Sequence, residues 1–582
     1  MKKTTLLQKM ALAASLLLIA TTMSAKDIFV SASGLLTNDG LSEATPVPLS
    51  SIVIASNLVQ NGDRIVVLGN IILATPVAID GKSITITGRN AFNDPRDANV
   101  VSSISGSTSG RIFNISGSAN VVISNLVFEN ATDKAIAISG DETLIVEIGY
   151  CMFRNNSARA VSADGPDNGA AISVVGGAVA NIFSCWFNDN QAFRGGALFV
   201  DNSTVNVQYS NFNRNFARIR TDGAAREANS AGGAVAAANN YTLTMSYCHF
   251  TNNYSHSVGG AFFLYGEGRF MLQNSTVINN YSGHLYREGR DNASDNNGGA
   301  FLIYGTNNIS IINTTIASNT ANGSAWGGGI LSRSSSSIEL INVTITNNLT
   351  TEGNSVHHGG GITIEQGTQL EVLNSIIERN RADADGNWSD VMGEGSGAYA
   401  IVARNSVIGA FTWNGSMGNF NITDRSISYD PVSYRDTEGG PLGVDMNESG
   451  LGNFSVNCYP LLPSAFAATL GNPVFLFNKD ITTDQNDNPR GTGATIFAGA
   501  VELTQPTDGT EVGSWVNFPV SDKPEQFWAY GETTNINNIF ADGDAVVVGY
   551  YNLLGQKLNE EPTSGFYIIR YSNGKSVKVQ VR

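Results

Sequence analysis

Three polar segments of the chain carry most of the side chains that could bind or transform a substrate. The first contains Arg218, Arg220 and Arg226, the second His284, Tyr286, Arg287 and Arg290, and the third His357 and His358. Arginine binds carboxylates through paired hydrogen bonds, and aromatic rings beside polar groups can stack on sugars. These residue types favour an acidic glycan as the ligand, and the candidate contacts are Arg218, Arg220, Tyr286, Arg287, Arg290 and Trp326.

Catalysis would demand more of these segments. A polysaccharide lyase needs a base of the Arg, Lys, His or Tyr type and a cation that neutralises the acid group of its substrate, and the segments do contain such bases. A glycoside hydrolase needs two or three carboxylates on one face, whereas Asp189 stands alone in its part of the sequence. A solvated surface is the more ordinary interpretation of the arginines and histidines, so the sequence leans against an enzyme without excluding one, and no catalytic residue is assigned.

The three polar segments occur within a short repeat of the sequence. An apolar residue is followed three positions later by asparagine and two positions after that by a small residue, and the apolar positions recur every 25 to 39 residues. The apolar members are Phe153, Phe187, Phe212, Phe250, Val277, Ile316, Ile345 and Ile377, and the asparagines are Asn156, Asn190, Asn215, Asn253, Asn280, Asn319, Asn348 and Asn380. Such a period is typical of repeat architectures rather than of one globular core.

The repeat predicts an all-β fold, a right-handed parallel β-helix. A glycine pair and a brief apolar strand follow most copies, as in Gly232-Gly233-Ala234, and no helical period is sustained. Stacked coils would place each apolar residue on its counterpart in the next coil. The asparagines would occupy a turn, adopt left-handed backbone angles and bond one another from coil to coil.

Almost all the variation in length lies between the asparagine and the glycine pair. The variable segments are 157–168, 218–231, 281–297, 349–358 and 381–396. Because they occupy one place in each coil, they should emerge along one edge, where function can vary without disturbing the core. Three positions before the apolar residue, early copies carry Tyr150, Tyr209 and Tyr247, while late copies carry Asn274, Asn313, Asn342 and Asn374.

The four cysteines do not predict a metal site. Their spacing fits no zinc signature, and no carboxylate pattern frames His357-His358. Cys151, Cys185 and Cys248 share one repeat position, which favours buried thiols, with a Cys151–Cys185 bridge between coils as the alternative. We expect no metal and no cofactor.

The ends of the chain differ from the repeats. Residues 1–25 read as a secretory signal peptide, with Lys2 and Lys3 before a short apolar run. Leu49 to Gln60 has apolar residues at helical spacing, which favours a helix that caps the first coil of a solenoid over residues 26–502. Residues 503–543 form a polar linker. Residues 544–582 form a small antiparallel β domain, in which Asn573-Gly574 predicts a hairpin.

The net charge argues against a nucleic-acid partner, and the hydropathy argues against a membrane-spanning helix. The 582 residues carry a formal net charge of −16, which opposes binding to the phosphate backbone of nucleic acids. Beyond the signal peptide, no stretch is long and apolar enough to predict a transmembrane helix in the mature protein.

Three blocks resemble known families. The repeated Phe-x-x-Asn with Gly-Gly-Ala resembles polymorphic outer-membrane proteins and related pectin-lyase-fold surface proteins, and Asn488-Pro489-Arg490 with Gly499-Ala500-Val501-Glu502 resembles the closing segment of secreted β-helix proteins, although Phe497-Ala498 replaces the usual acidic and aliphatic pair. This resemblance covers about residues 27 to 502. The tail, with Gly565-Phe566-Tyr567 and Lys578-Val579, resembles a type A sorting domain of the type IX secretion system.

The resemblances imply an exported protein at the cell surface or outer membrane, or outside the cell. Its expected partners are a polysaccharide or a glycan of a host or neighbouring cell, and the secretion machinery through the tail. We expect non-catalytic glycan binding or adhesion through the loop edge, with a polysaccharide lyase or glycoside hydrolase of acidic glycans as the alternative. Ligand identity, oligomeric state and cleavage or anchoring of the tail do not follow from the sequence.

Overall fold

The computed structural model describes two compact units, Met1–Val516 and Asn517–Arg582, which are treated separately below. The described residues are 25–54, 58–89, 102–106, 110–158, 168–218, 230–283, 298–324, 326–352, 359–365, 367–382, 389–393, 400–413, 433–436, 458, 466–477, 479, 481–491, 496–502, 547–551, 557–558, 565–571 and 576–581. The predicted signal peptide and linker therefore lie outside the described residues, apart from Ala25.

The first unit is a right-handed parallel β-helix, as the repeat predicts. Each coil contributes one strand to each of three faces, which we number in chain order within a coil. Face 1 contains Val77–Asp80, Phe113–Ser116, Ile136–Ser139, Ile172–Val175, Leu198–Asp201, Val235–Ala238, the first part of Phe262–Gln273, the first part of Phe301–Ile312, Ile330–Arg333, Ile362–Ile364 and Val391–Gly393.

Faces 2 and 3 complete each coil, and all their strand pairs are parallel. Face 2 contains Asp27–Ser31, Arg64–Leu68, Thr85–Gly88, Asn120–Ser124, Ile145–Gly149, Val179–Phe183, Thr204–Gln208, Tyr241–Ser246, the second parts of the two long strands, Ser337–Ile341, Gln369–Leu373 and Ala400–Arg404. Face 3 contains Asn70–Leu73, Ser102–Gly106, Leu126–Glu129, Met152–Arg154, Trp186–Asn188, Asn211–Asn213, His249–Thr251, Thr276–Ile278, Thr315–Ala317, Thr344–Thr346, Ile376–Glu378, Val407–Trp413 and Ser433–Asp436.

A fourth, narrow sheet follows face 3 at the corner from which the variable loops depart. It contains Gln191–Ala192, Phe216–Ala217, Tyr254–Ser255, Tyr281–Ser282, Thr320–Ser324 and Leu349–Glu352. Because these short strands pair in register, the described starts of the loops lie in one row. We call this row and the loops that leave it the loop edge.

Helices are few among the described residues. The α-helices are Ser51–Ile54 and Val474–Phe477, and a 3-10 helix spans Phe466–Thr469; none of the described helices is long and apolar enough to cross a membrane. The helix predicted over Leu49 to Gln60 is shorter than expected, because the chain has left helical geometry by Leu58 and the Gln60 amide donates to the Asp63 carboxylate at 2.8 Å. Leu49, Ile52 and Val59 are nevertheless buried in the core.

Like residues stack through the interior. Phe187 pairs with Phe212 in a parallel register, and their ring centroids are 4.5 Å apart at 9°. Phe153, Phe187, Phe212 and Phe250 are all fully buried. Burial of an apolar side chain of this size stabilises the fold by about 1.5–3 kcal/mol, and the ladder repeats this contribution in every coil.

The eight repeat asparagines form one continuous hydrogen-bonded column. From Asn156 to Asn348, each side-chain Nδ2 donates to Oδ1 of the next asparagine at 2.8 to 3.0 Å. Nδ2 also donates to a main-chain carbonyl one coil earlier, as Asn215 does to Phe187 at 2.9 Å. The column ends on a carboxylate, because Nδ2 of Asn380 donates to Oδ1 of the buried Asp390 at 2.7 Å.

One expectation about this column is wrong. The left-handed backbone angle belongs to the residue before each asparagine, such as Asp189 (φ 57°) and Arg214 (φ 54°), and not to the column asparagines themselves. The amide therefore remains inside the coil, where the left-handed residue turns the chain and leaves its own side chain outside.

The cysteines replace hydroxyl residues in a second column. Ser210 and Ser275 each donate their hydroxyl to the carbonyl two residues earlier, at 2.9 and 2.7 Å. Cys151, Cys185 and Cys248 make the same bond through Sγ, each at 3.3 Å. The described cysteines are free thiols, so the Cys151–Cys185 bridge is absent.

Thiol labelling checks this placement. Burial raises the pKa of Cys151 well above its usual value and raises the pKa of Cys248 to about 12, so both remain protonated at neutral pH and cannot attack as thiolates. We expect a disulfide reagent to label neither residue in the folded protein, and to detect all four thiols after unfolding without reductant. Fewer than four thiols in the unfolded, unreduced sample would contradict the free-thiol assignment.

A strap runs back along the flank of the late coils. It comprises the described parts of 466–502, and it covers an outward apolar column of Ile312, Ile341 and Leu373 with Leu476, Ile481 and Ile496. Corner asparagines hold its main chain: Nδ2 of Asn313 donates to the Thr483 carbonyl at 2.7 Å, and Nδ2 of Asn374 to the Asn472 carbonyl at 2.9 Å. The predicted closing segment, 483–502, therefore lies against the side of the coils.

Arg490 secures the strap from within. Its Nη2 donates to Oδ1 of Asn313 at 3.0 Å and to the carbonyls of Gly499 and Ala500 at 2.9 and 3.0 Å. Burial lowers the pKa of Arg490 to about 10, although Glu502 and Asp484 oppose the shift. The guanidinium therefore remains charged at neutral pH and joins the two arms of the strap to the corner asparagine.

The second unit contains a four-stranded antiparallel sheet. Its strands are Val547–Tyr551, Lys557–Leu558, Gly565–Tyr571 and Ser576–Val581. Ile569 pairs with Val577 and Phe566 with Gln580, so the two last strands form the predicted hairpin pairing. The Asn573-Gly574 turn lies outside the described residues.

Candidate functional site

Most of the predicted ligand contacts fall on the loops. Arg220, Tyr286, Arg287 and Arg290 lie outside the described residues, as do Arg226, His284, His357 and His358. Arg218 and Trp326 are described. They lie in different coils, since Arg218 precedes the face 1 strand Val235–Ala238 and Trp326 precedes the strand three coils further on, Ile330–Arg333. Three coil steps correspond to about 14 Å.

Arg218 has a structural position. Only 9% of the residue is exposed, its guanidinium donates to the Ala158 carbonyl, and its main-chain amide donates to the Ala192 carbonyl at 2.8 Å. The side chain thus ties together the starts of loops in different coils. A residue so buried stabilises the loop edge and offers little surface to a large ligand.

Beside the loop edge, the outer side of face 1 carries a covered apolar cluster. Phe199, Ala236, Phe263, Leu302 and Leu331 point outward in successive coils, yet they are almost fully buried because Ala231, Val258 and the partly buried Trp326 pack over them. The Arg194 guanidinium lies 5.7 Å from the centre of the Phe263 ring, a distance typical of a cation–π contact. Residues of the loop edge therefore pack along one side of face 1.

Trp326 belongs to a small polar and aromatic group. The Arg333 guanidinium lies 5.1 Å from the centre of the Trp326 ring, and Nε of Arg333 donates to Oε1 of Glu365 at 2.8 Å. Burial raises the pKa of Glu365, and the contact with Arg333 opposes this shift. The cation is held between ring and carboxylate, so it has a fixed position from which to donate hydrogen bonds to a ligand.

Next to the loop edge, two tyrosine rings are exposed. Tyr265 and Tyr304 are 39% and 44% accessible, and their rings are stacked at 5.7 Å with planes 11° apart. Sequence reasoning missed them, although a signal existed: both follow a Gly-Gly-Ala segment in Ala261-Phe262-Phe263-Leu264-Tyr265 and Ala300-Phe301-Leu302-Ile303-Tyr304. Alternation along a strand places these tyrosines on the outer side when Phe262 and Phe301 point inward.

An open depression adjoins the tyrosines at the corner between faces 1 and 2. Its volume is about 530 Å³, and it is lined by Asn240, Tyr241, Thr242, Glu267, Gly268, Arg269, Thr306, Asn307, Asn308, Ser335 and Ser337. The two long strands, Phe262–Gln273 and Phe301–Ile312, pass through this corner, where Gly266 and Gly305 have φ angles of 90° and 104°. Residues with a side chain rarely adopt such φ angles, so glycine is required at both positions.

Tyr241 forms the floor of the depression. It is 1% exposed, its hydroxyl donates to Oδ1 of Asn307 at 2.8 Å, and burial raises its pKa. A Cβ at Gly268 would lie 2.1 Å from the Tyr241 ring, so this glycine makes room for it. Because its hydroxyl remains protonated at neutral pH, Tyr241 is unsuited to act as a base, and its role here is structural.

The depression offers hydrogen bonds from several directions. Glu267, Arg269, Thr306 and Asn308 are exposed on its walls, and they present carboxylate, guanidinium, hydroxyl and amide groups. Among the described residues, no group of three or more His, Cys, Asp or Glu side chains could hold a metal ion. Stacked rings beside such polar groups are suited to binding a ligand with both apolar faces and hydroxyl edges.

Comparisons with known proteins agree with the architecture. A family model described as "Right handed beta helix region" matches residues 260–427. No curated protein matches the chain. Among solved structures, pectate lyase Pel9A has 13% identity and a TM-score of 0.32, with 83% of this chain and 97% of that chain covered.

Two further solved structures are similar at the same level. A mannuronic acid specific family 6 polysaccharide lyase from human gut microbiota has 11% identity and a TM-score of 0.31, with 71% of this chain and 92% of that chain covered. The catalytic domain of a GH87 alpha-1,3-glucanase has 12% identity and a TM-score of 0.28, with 71% and 70% covered.

Proposed function

We propose that this chain is an exported glycan-binding protein, whose ligand lies on the outer side of face 1 beside the loop edge. The observation that carries the proposal is the exposed, mutually stacked pair Tyr265 and Tyr304 next to the polar depression. We name Tyr265, Tyr304, Trp326 and the depression together the binding face.

The arrangement matches the two surfaces of a sugar. One side of a pyranose ring is apolar, and tyrosine or tryptophan can cover it at little cost in conformational entropy. The hydroxyl groups at the edge of the ring need donors and acceptors, which Glu267, Asn308 and Thr306 supply at the adjoining corner. Because Arg333 is held by Trp326 and Glu365, it adds a cation in a defined place.

The loops extend this proposal. Arg220, Tyr286, Arg287 and Arg290 belong to loops that leave from the loop edge, which borders the binding face. They remain predicted contacts, and they would add cations for the acidic groups of a glycan. Loops along one border of a fixed platform allow the ligand to change without change in the coils.

A glycan array of the chain from residue 26 tests the proposal. We expect binding to a defined set of glycans, and the double variant Tyr265→Ala/Tyr304→Ala should weaken it by about fivefold to a hundredfold, because each of the two lost ring contacts contributes about 0.5–1.5 kcal/mol. Tyr265→Phe/Tyr304→Phe keeps both rings and should retain most of the affinity. Ile72→Ala, which removes an exposed apolar side chain elsewhere (74% accessible), is the matched control and should bind normally.

Product analysis distinguishes the non-catalytic proposal from the catalytic alternative. Incubation of the same protein with acidic polysaccharides should leave chain length unchanged and produce no ultraviolet absorbance from unsaturated ends. Release of unsaturated product would support a lyase, and shortened saturated chains a hydrolase. Either result would overturn the non-catalytic proposal, whereas unchanged affinity of the alanine double variant would overturn the assigned binding face.

Export and surface location are part of the same proposal. They rest on the signal-peptide pattern of residues 1–25 and on the resemblance of residues 544–582 to a sorting domain. We propose that the tail engages the secretion machinery. Deletion of residues 544–582 in a host that has a type IX system should then leave the protein in the periplasm, as fractionation would report.

A further inference from the structure

The corner between faces 2 and 3 changes its chemistry along the molecule. In the late coils the left-handed corner residue is asparagine, at Asn274, Asn313, Asn342, Asn374 and Asn405. In the early coils this position is occupied in turn by Asn125, Tyr150, Ser184, Tyr209 and Tyr247. The φ angles at the tyrosines are 51° to 53°. Asparagine tolerates this conformation, whereas for a bulky residue it is unusual and costly.

Three of these asparagines hold the strap. Nδ2 of Asn313, Asn374 and Asn405 each donate to a main-chain carbonyl of the strap, at 2.7, 2.9 and 2.9 Å. Oδ1 of Asn374 also accepts the main-chain amide of Asn472 at 2.7 Å. At this corner, asparagine side chains therefore hold the main chain of the strap through hydrogen bonds.

The described strap reaches as far as the last tyrosine. The Tyr247 hydroxyl donates to Oδ1 of Asp487 at 2.7 Å, whereas no hydrogen bond or ring contact joins the described residues of the strap to Tyr150 or Tyr209. These two side chains remain 41% and 37% accessible. Among the described residues, tyrosine therefore occupies this corner only at the end of the strap and in coils to which the described strap donates no hydrogen bond.

The early corner carries a continuous row of rings. Tyr150 and Phe183 have ring centroids 5.3 Å apart, Phe183 and Tyr209 5.6 Å, and Tyr209 and Tyr247 4.7 Å. We call these four residues the tyrosine stripe. One ring per coil gives a spacing close to the length of one sugar unit in an extended chain.

The surroundings of the stripe are polar and electrically balanced. Asn181 and Asn206 lie beside it on the outer side of face 2, joined at 3.0 Å. Arg154 is paired with Glu129 at 2.8 Å, and Arg214 with Asp189 at 2.6 Å. Burial raises the pKa of Glu147, the other carboxylate on these strands. Amides suit hydroxyl groups, whereas the paired charges give no attraction for an acidic polymer.

We propose that the tyrosine stripe binds an uncharged polysaccharide, extended along the β-helix axis where the strap stops. This surface is distinct from the binding face, because Tyr241 and Tyr247 lie at opposite ends of one face 2 strand, about 20 Å apart. The aromatic side chains persist at a strained backbone position because their rings are used there. Asparagine would suit the local backbone better, and the late coils use it.

The substitution Tyr150→Asn/Tyr209→Asn tests this inference with little risk to folding, because it installs the residue that six other described coils carry at this position. The probes are uncharged polysaccharides, namely hydroxyethyl cellulose, mixed-linkage β-glucan, mannan and dextran, cast into native gels. We expect at least one to retard the wild-type protein, and the double variant to lose at least about tenfold in affinity for it. Thermal unfolding of the variant should occur at or above the wild-type temperature.

Controls separate the two surfaces. Tyr265→Ala/Tyr304→Ala should retain the retardation that Tyr150→Asn/Tyr209→Asn loses, and the stripe variant should retain the array binding that Tyr265→Ala/Tyr304→Ala loses. Absence of retardation by all four polymers would overturn the inference, as would equal retardation of the stripe variant. Sedimentation that shows a dimer dissociated by the stripe variant would also overturn it, in favour of an interface between copies.

Discussion

The variant Asn215→Asp is expected to lose about 3–5 kcal/mol of unfolding free energy at pH 7. In the native protein, Nδ2 of Asn215 donates to the Phe187 carbonyl and to Oδ1 of Asn253, at 2.9 and 3.0 Å. The substitution replaces a double donor with a buried carboxylate that faces these two oxygens. An uncompensated buried charge has a cost of this size.

The loss should depend on pH in a defined direction. Burial and the facing oxygens raise the pKa of the new carboxyl above its unfolded value of about 3.9, so the folded state binds the proton more tightly. Linkage then requires that the variant becomes less stable relative to wild type as pH rises from about 4 to 7. Urea unfolding at both pH values, with hydrogen exchange resolved by coil, measures the effect. Asn120→Asp, at an exposed position, is the control and should change stability by less than about 0.5 kcal/mol.

A loss that is equal at pH 4 and pH 7 would contradict the buried-charge explanation. An unaffected variant would contradict the continuous column itself, since neighbouring asparagines would then have alternative partners. Because coils in a solenoid contact mainly their neighbours, the increased exchange should centre on the coils of Asn190, Asn215 and Asn253.

The variant Arg490→Met is expected to release the strap and to cost about 3–5 kcal/mol. It removes the hydrogen bonds that the guanidinium donates to Asn313, Phe497, Gly499 and Ala500, and it leaves Glu502 without its buried partner. Removal of one member of a buried polar network has this magnitude. Exposed Ile312, Ile341 and Leu373 should then bind a hydrophobic dye, and limited proteolysis should cleave within 466–502 first.

Lys479→Met is the matched control. Lys479 also links the strap to the coils, through Glu339 at 2.8 Å, but its side chain is 43% accessible. A surface ion pair contributes about 0–1 kcal/mol. Equal effects of the two substitutions would show that the strap is held by overall charge, and would contradict the anchoring role of Arg490.

The fold was predictable from the sequence because its determinants are periodic. Phe187 and Phe212, or Asn190 and Asn215, occur at matched positions in neighbouring coils, and stacking requires no knowledge of distant contacts. The loop edge follows from the same period. The left-handed angle was assigned one residue too late, since spacing alone does not say which of two adjacent residues, Arg214 or Asn215, turns the chain.

The strap and the binding face were less accessible to sequence reasoning. Gln485 bonds Thr315 at 2.6 Å across 170 residues, and no periodicity connects them. The switch from Tyr247 to Asn274 was visible in the sequence, but the strap that bonds this corner was not. Tyr265 and Tyr304 could have been found from strand alternation, whereas the predicted contacts on the loops depend on Arg220 and Tyr286, which lie outside the described residues.

The strap has a mechanical consequence. A tensile load applied to the chain beyond Glu502 enters the first unit through Ala500, whose amide donates to Thr344 at 2.9 Å, and through Gly499, whose amide donates to Asn374 at 2.7 Å. It therefore reaches the interior coils before the terminal one, and it must shear several hydrogen bonds at once instead of peeling coils away singly. A pulling experiment that grips residue 502 should record one high rupture force, followed by a regular series of smaller ones.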